Sequence, residues 1–156
     1  MTFKLNISEK SGKTYKLELE GERLVGKVLN EKIKGIDIHP DLADYEFEIR
    51  GASDSSGFMA HETVEGIGLK KILLRYGRGM KKRPKKEGKT KRSTPKPKGL
   101  RLRKTVRGKI ISPAIIQINL KTIKEGAKKL SEIFPDQNKL KEEPFNVEQT
   151  EEKKEN

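Results

Sequence analysis

Apolar and polar side chains alternate along the first twenty residues. In TFKLNIS (residues 2–8) Phe3, Leu5 and Ile7 share one face, and in TYKLELE (14–20) Tyr15, Leu17 and Leu19 do the same. A period of two belongs to a strand with one buried face. Ser11-Gly12 between the runs supplies a turn, so the pattern predicts an antiparallel hairpin. Tyr45, Phe47 and Ile49 alternate again and lead into the turn-like GASDSSG of residues 51–57. Gly51 and Gly57 suit positive φ and Asp54 suits an Asx turn. Such a turn either shapes a hairpin or lets backbone come close to a partner. Leu69 to Tyr76 is compatible with a strand. In IISPAIIQINL (110–120) Ile116, Ile118 and Leu120 alternate, and Pro113 marks a break or an edge. Residues 22–33 are ambiguous: Leu24, Val25, Val28 and Leu29 suit a short amphipathic helix that Gly26 weakens. From Lys121 the period changes, and Ile123, Ala127, Leu130 and Phe134 predict a helix up to Pro135. The fold expected is mainly β: a small barrel-like or half-open antiparallel sheet domain with a long basic loop and a short C-terminal helix.

Composition changes this picture in one place. The 156 residues suit a single domain, but only 31% are apolar and the net charge is +13. The excess is local. Between Lys70 and Lys109 nineteen basic residues stand against one acid, Glu87. That stretch is poor in apolar side chains and broken by Pro84, Pro95 and Pro97. It cannot bury enough surface to offset its chain entropy, so it is expected to be disordered when free. The chain therefore divides into a compact β domain with its helix (1–76 and 110–134), a basic extension (77–109) and a polar, disordered acidic tail (135–156).

A solvated charge run is the ordinary reading of such a stretch. Mixed signs characterise an ordinary surface, however, and one acid among twenty charges does not fit. Holding so much like charge together is unfavourable unless a polyanion relieves it. A membrane-surface segment would set bulky apolar residues opposite its cations. Between Gly77 and Lys109 only Met80, Leu100, Leu102 and Val106 are apolar, and Leu100 and Leu102 have a strand spacing. Nucleic acid is the better match. No aromatic residue lies in the stretch, so base stacking is excluded as its main mode and phosphate contact remains. The residues expected to carry it are Lys70, Lys71, Arg75, Arg78, Lys81, Lys82, Arg83, Lys85, Lys86, Lys89, Lys91, Arg92, Lys96, Lys98, Arg101, Arg103, Lys104, Arg107 and Lys109.

Catalytic chemistry finds little support. The absence of Cys excludes disulfides, thiolate metal sites and a Cys nucleophile. Gly-Lys-Thr occurs at Gly12 and Gly88, but Ile7 and Arg83 stand where a phosphate-binding loop needs its first Gly. Gly66-x-Gly68 and Gly77-x-Gly79 lack the third Gly of a dinucleotide fingerprint. His39 and His61 read as loop histidines, although His61 could reach a phosphate. Glu46 and Glu48 share a strand face and read as solvated. No catalytic residue, metal site or cofactor is expected. No apolar run is long enough for a membrane helix, and the start has no secretory h-region, so a soluble intracellular protein is expected.

Two stretches carry a resemblance. Ile49 to Met59 (IRGASDSSGFM) is similar to the signature of the small-subunit ribosomal protein six family of archaea and eukaryotes. Ala52 stands where the family has a second Gly, and its Pro between Phe58 and Met59 is missing. Arg101 to Ile111 (RLRKTVRGKII), followed by Ile116-Gln117-Ile118-Asn119, resembles the family's basic run and the β segment after it, in the archaeal form. The resemblance covers residues 2–125 or so. Within it, Thr90 to Gly99 holds extra residues. It implies a structural constituent of the small ribosomal subunit whose basic extension packs on rRNA, with neighbouring ribosomal proteins as further partners. It also implies a cytoplasmic, ribosome-bound protein with no membrane and no small-molecule substrate. The alternatives are a free nucleic-acid chaperone or coating protein, and an RNA-modifying enzyme, for which the residues offer no pocket.

Overall fold

The computed structural model describes residues 2–80 and 98–138. Its strands are β1 (Thr2–Ser8), β2 (Thr14–Glu20), β3 (Lys32–Lys34), β4 (Glu46–Asp54), β5 (Leu69–Arg75), β6 (Arg101–Arg107) and β7 (Ile115–Lys124), followed by one helical turn, α1 (Leu130–Ile133). The protein is mainly β, with a five-stranded sheet curled into a half-barrel and a short helix near the end of the described chain. Strand order in that sheet is β2-β1-β7-β4-β3, and β5 and β6 form a separate two-stranded ribbon. β1 and β2 make the expected hairpin, with Phe3 opposite Leu19 and Ile7 opposite Tyr15. One pairing departs from the antiparallel expectation: β1 and β7, the first and last strands, run parallel, Leu5 beside Ile118. They lie far apart in sequence, so no tight turn dictates their direction.

The alternation decides which face is buried. Phe3, Leu5, Ile7, Phe47, Ile49, Ile118 and Leu120 line the concave side, and Tyr45 stacks on Phe47 at 5.7 Å. Burying each such side chain contributes about 1.5–3 kcal/mol. A second, smaller cluster of Val64, Leu74, Met80 and Val106 sits beneath the ribbon.

Four local expectations are corrected. Residues 22–33 form no helix, because Gly26 and Asn30 take φ of 86° and 67°. The Glu31 carboxylate instead accepts from Lys27 Nζ (2.9 Å) and the Val28 N–H (2.8 Å), and these bonds hold it below the usual carboxylate range. The helix expected from Lys121 is a strand as far as Lys124, because β4 pairs along it. Gly126 serves packing there: a Cβ would sit 2.8 Å from the Tyr45 ring. In β7 it is Ile115 that is buried and Ile116 that is exposed, since a register irregularity against β4 at Ser53/Asp54 resets the alternation. The run 51–57 is also not all turn. β4 continues to Asp54, Gly57 takes a φ of 80°, and Gly51 keeps a strand conformation.

The expected tail begins at 135. Gln137 bonds both the N–H and the C=O of Lys16, at 2.6 and 2.7 Å, and Asn138 bonds the Thr14 carbonyl. These side chains cover part of the free edge of β2. Residues 139–156 lie outside the described residues.

One buried hydroxyl gives a direct test. Thr122 in β7 is buried, and its Oγ1 has no hydrogen-bond partner among the described residues. Removing an unsatisfied buried group of the same shape is favourable. Thr122→Val should raise unfolding free energy by about 1 kcal/mol in a urea titration with unchanged slope.

Candidate nucleic-acid interface

The β5–β6 register sorts the cations that sequence could only enumerate. Directly opposed residues of an antiparallel pair share a face. Lys71 lies opposite Thr105, Leu73 opposite Arg103 and Arg75 opposite Arg101, so Lys71, Arg75, Arg101 and Arg103 crowd one face of the ribbon. All four are exposed. Among the described residues no carboxylate comes within ion-pair distance of them. Arg75 and Arg101 are like charges placed side by side, an unfavourable arrangement in the free protein. Leu69 and Leu73 are also exposed on this face. Alternation alone did not reveal that sidedness.

The other face carries Leu74 and Val106 into the second cluster, with Lys70 and Lys104 exposed on its margin. Lys98 is exposed in the turn that leads into β6. Arg78 leaves the ribbon altogether. Its guanidinium donates to the Arg50 carbonyl and lies over Gly51 in β4. Lys81, Lys82, Arg83, Lys85, Lys86, Lys89, Lys91, Arg92 and Lys96 lie outside the described residues.

Arg107 and Lys109 are engaged within the protein. Arg107 Nε donates to Asp54 Oδ2 at 2.9 Å and its Nη1 to the Ile67 carbonyl at 3.3 Å. The Asp54 side chain is only 2% exposed and also accepts from the Phe58 N–H at 2.8 Å. Lys109 Nζ reaches Glu65 at 2.6 Å. Backbone bonds stitch the same place. Arg107 N–H donates to Met59, Gly108 N–H to Gly68 and Lys109 N–H to Val64. Gly108 is there because a Cβ would lie 1.9 Å from the Gly66 carbonyl oxygen. The two stretches that carried the resemblance, 49–59 and 101–111, thus meet in space, and Asp54–Arg107 joins them.

The histidines have local partners. His39 Nδ1 accepts from the Asp41 N–H, and His61 Nδ1 bonds Thr63 Oγ1 at 2.8 Å. Glu48 pairs with Arg50 at 3.0 Å. Among the described residues no cluster of His, Cys, Asp or Glu is arranged to hold a metal, and no helix is long and apolar enough to cross a membrane.

A β half-barrel that carries a ribbon whose outer cations have no carboxylate partner among the described residues, with its base clamped by a buried ion pair, is a scaffold protein that displays charge. Comparison with known proteins makes this specific. The family model for ribosomal protein S6e matches residues 3–96 and 93–135, dividing within the Thr90–Gly99 stretch. A small ribosomal subunit protein eS6 of Archaeoglobus fulgidus is 38% identical over 140 residues, 86% of this chain and 96% of that protein. Those of Methanocaldococcus jannaschii and Thermoplasma acidophilum are 38% and 37% identical, covering 80% and 82% of this chain and 84% and 93% of theirs. The chain belongs to the ribosomal protein S6e family. Its role is that of a structural ribosomal protein of the small subunit, not an enzyme.

The clamp at the ribbon's base is open to measurement. Asp54→Ala leaves a largely buried guanidinium unpaired and should lower stability by about 3 kcal/mol. A double-mutant cycle with Arg107→Ala in denaturant should return a coupling of about 1–3 kcal/mol. Gly108→Ala should destabilise by about 1–3 kcal/mol through overpacking. Gly68→Ala, where a Cβ meets open space, should stay within about 0.5 kcal/mol of wild type.

Proposed function

We propose that the protein takes its place in the small subunit by setting rRNA phosphates against the outer face of the β5–β6 ribbon. The observation that carries this reading is the cluster of Lys71, Arg75, Arg101 and Arg103 on one ribbon face, with no carboxylate of the described residues near enough to neutralise it. Arg107 and Lys109 act at one remove, by fixing the base from which the ribbon projects. The nine basic residues between Lys81 and Lys96 continue the same charge by sequence and are assigned the same partner. In this reading the compact β domain with its helix (1–76 and 110–134), which holds the half-barrel and strand β5 of the ribbon, positions the basic extension (77–109). Neighbouring ribosomal proteins are further partners, and the protein works in the cytoplasm as part of the ribosome.

Phosphate neutralisation releases condensed counterions, so binding weakens as salt rises. Each cation contributes about 0.7–0.9 to the slope of log affinity against log salt. Replacing Lys71, Arg75, Arg101 and Arg103 by Gln should flatten that slope by about 3 for small-subunit rRNA transcribed in vitro. The same variant should wash from purified subunits at lower salt than wild type. An unchanged slope would remove the ribbon from the interface. Sedimentation of cell extract separates the reading from a free nucleic-acid chaperone, which would not travel with the small subunit.

A further inference from the structure

The convex side of the half-barrel holds a row of side chains that the ribbon does not use. Lys16 of β2 lies opposite Asn6 of β1, Asn6 beside Asn119 of β7, and Asn119 opposite Gly51 of β4. All four positions fall on one face, away from the core. Three inter-strand spacings separate the ends of the row, about 14 Å. Asn6 Nδ2 donates to Asn119 Oδ1 at 3.0 Å, and Gln117 Nε2 donates to the same oxygen at 3.1 Å. That oxygen is therefore occupied. The Asn119 amide nitrogen and the carbonyl oxygens of Asn6 and Gln117 remain, so the cluster offers both a donor and acceptors. Gly51 closes the row; it is buried, and its lack of a side chain lets the Arg78 guanidinium lie over the strand there. A Cβ there would meet the Arg78 guanidinium at 3.2 Å and the Asn119 amide nitrogen at 3.6 Å.

Charge frames this neutral centre. Lys16 stands at one end and Arg78 at the other, and Lys4, beside Gln117, and Lys121, two residues on from Asn119, flank it on the same face. Acids adjoin it at the margins: Glu48 is paired with Arg50, Glu18 lies opposite Lys4, and Glu62 is bonded to Asn30 at 3.0 Å. The Asn30 bond, and after it the nearby Arg78, hold the Glu62 carboxyl below its ordinary value. No aromatic ring lies in the row, so it cannot stack on an unpaired base. Neutral amides between two cations complement a groove whose floor offers hydroxyls and base edges and whose rims are phosphate. The minor groove of A-form RNA is wide and shallow, and it displays 2′-hydroxyls in this way.

We infer that Asn6, Asn119 and Gln117, with Gly51 and Arg78, form a second RNA-contact surface that reads the minor groove of an rRNA helix through neutral hydrogen bonds. The inference rests on the rRNA reading above and adds a different surface with a different chemistry. The ribbon acts through charge; the amides at the centre of this face act through hydrogen bonds that release no counterions.

Salt dependence separates the two. With small-subunit rRNA transcribed in vitro, Asn6→Ala/Asn119→Ala should bind about tenfold more weakly at every salt concentration, with the slope of the wild type. Asn119→Asp nearly keeps the shape but replaces the amide donor by an anion, and should bind more weakly than Asn119→Ala. Thermal melts of the free variants near the wild-type midpoint establish that the fold is intact. Hydroxyl-radical footprints should lose a patch of protected riboses while keeping those the ribbon protects. If all three variants bind as wild type while the ribbon variant shows its flattened slope, this surface is not an RNA contact and the inference falls alone. That outcome, joined to poorer retention in whole subunits, would assign the face to a neighbouring protein. Absence of wild-type binding to this RNA at any salt concentration would remove the ribbon reading and this one together.

Discussion

The buried pair between Asp54 and Arg107 is the constraint on which the display of charge depends. Asp54 ends β4 in the half-barrel, and Arg107 ends β6 in the ribbon. Among the described residues, their bond is the ion pair that joins the two sheets. It is almost shielded from water on the carboxylate side, where screening is weak and an unpaired charge is unfavourable. The Phe58 N–H on the same carboxylate orders the turn after β4, and the Gly108 contact brings the segment after β6 against Gly66. A ribbon that packs on a small cluster of its own would otherwise be free to swing. Anchored at its base, it presents cations in one direction.

The protein separates two uses of the same residue types. Where a cation must set geometry, it is given a carboxylate and partial burial, as at Arg107 and Lys109. Where cations face outward on the ribbon, no such partner is found among the described residues, and Arg75 stands beside Arg101. Repulsion tolerated in the free chain becomes favourable interaction when a polyanion arrives. In the proposed reading, the free molecule gives up a little stability to hold charge ready for rRNA.

Much of the architecture was legible in advance. The period-two runs at 2–8, 14–20 and 45–49 became strands with the expected faces inward, because alternation ties register to burial and a slip of one residue would expose the whole set. Misreadings arose where a non-local partner overrode a local period. Residues 121–124 have helical spacing but lie along β4, and ladder hydrogen bonds to a neighbouring strand outweigh a short helical pattern. The Ile115/Ile116 reversal has the same origin in a β4 irregularity. In residues 22–33 the helical spacing of Leu24, Val25, Val28 and Leu29 does not decide the conformation, which rests on one carboxylate, Glu31, and two positive φ angles.

By itself, the sequence determined the fold class, the place of the cationic segment and the exclusion of thiol chemistry, which follow from composition and short-range pattern and need no knowledge of what meets what. The likeness to the S6e family rested instead on two motifs, Ile49 to Met59 and Arg101 to Ile111. Tertiary structure alone decided that Arg107 bonds Asp54 fifty-three positions away, that four cations share one ribbon face, and that Asn6, Asn119 and Gly51 line up across three strands. Each is a matter of register between segments distant along the chain. Register is set by how whole faces bury together, a property that no single segment carries.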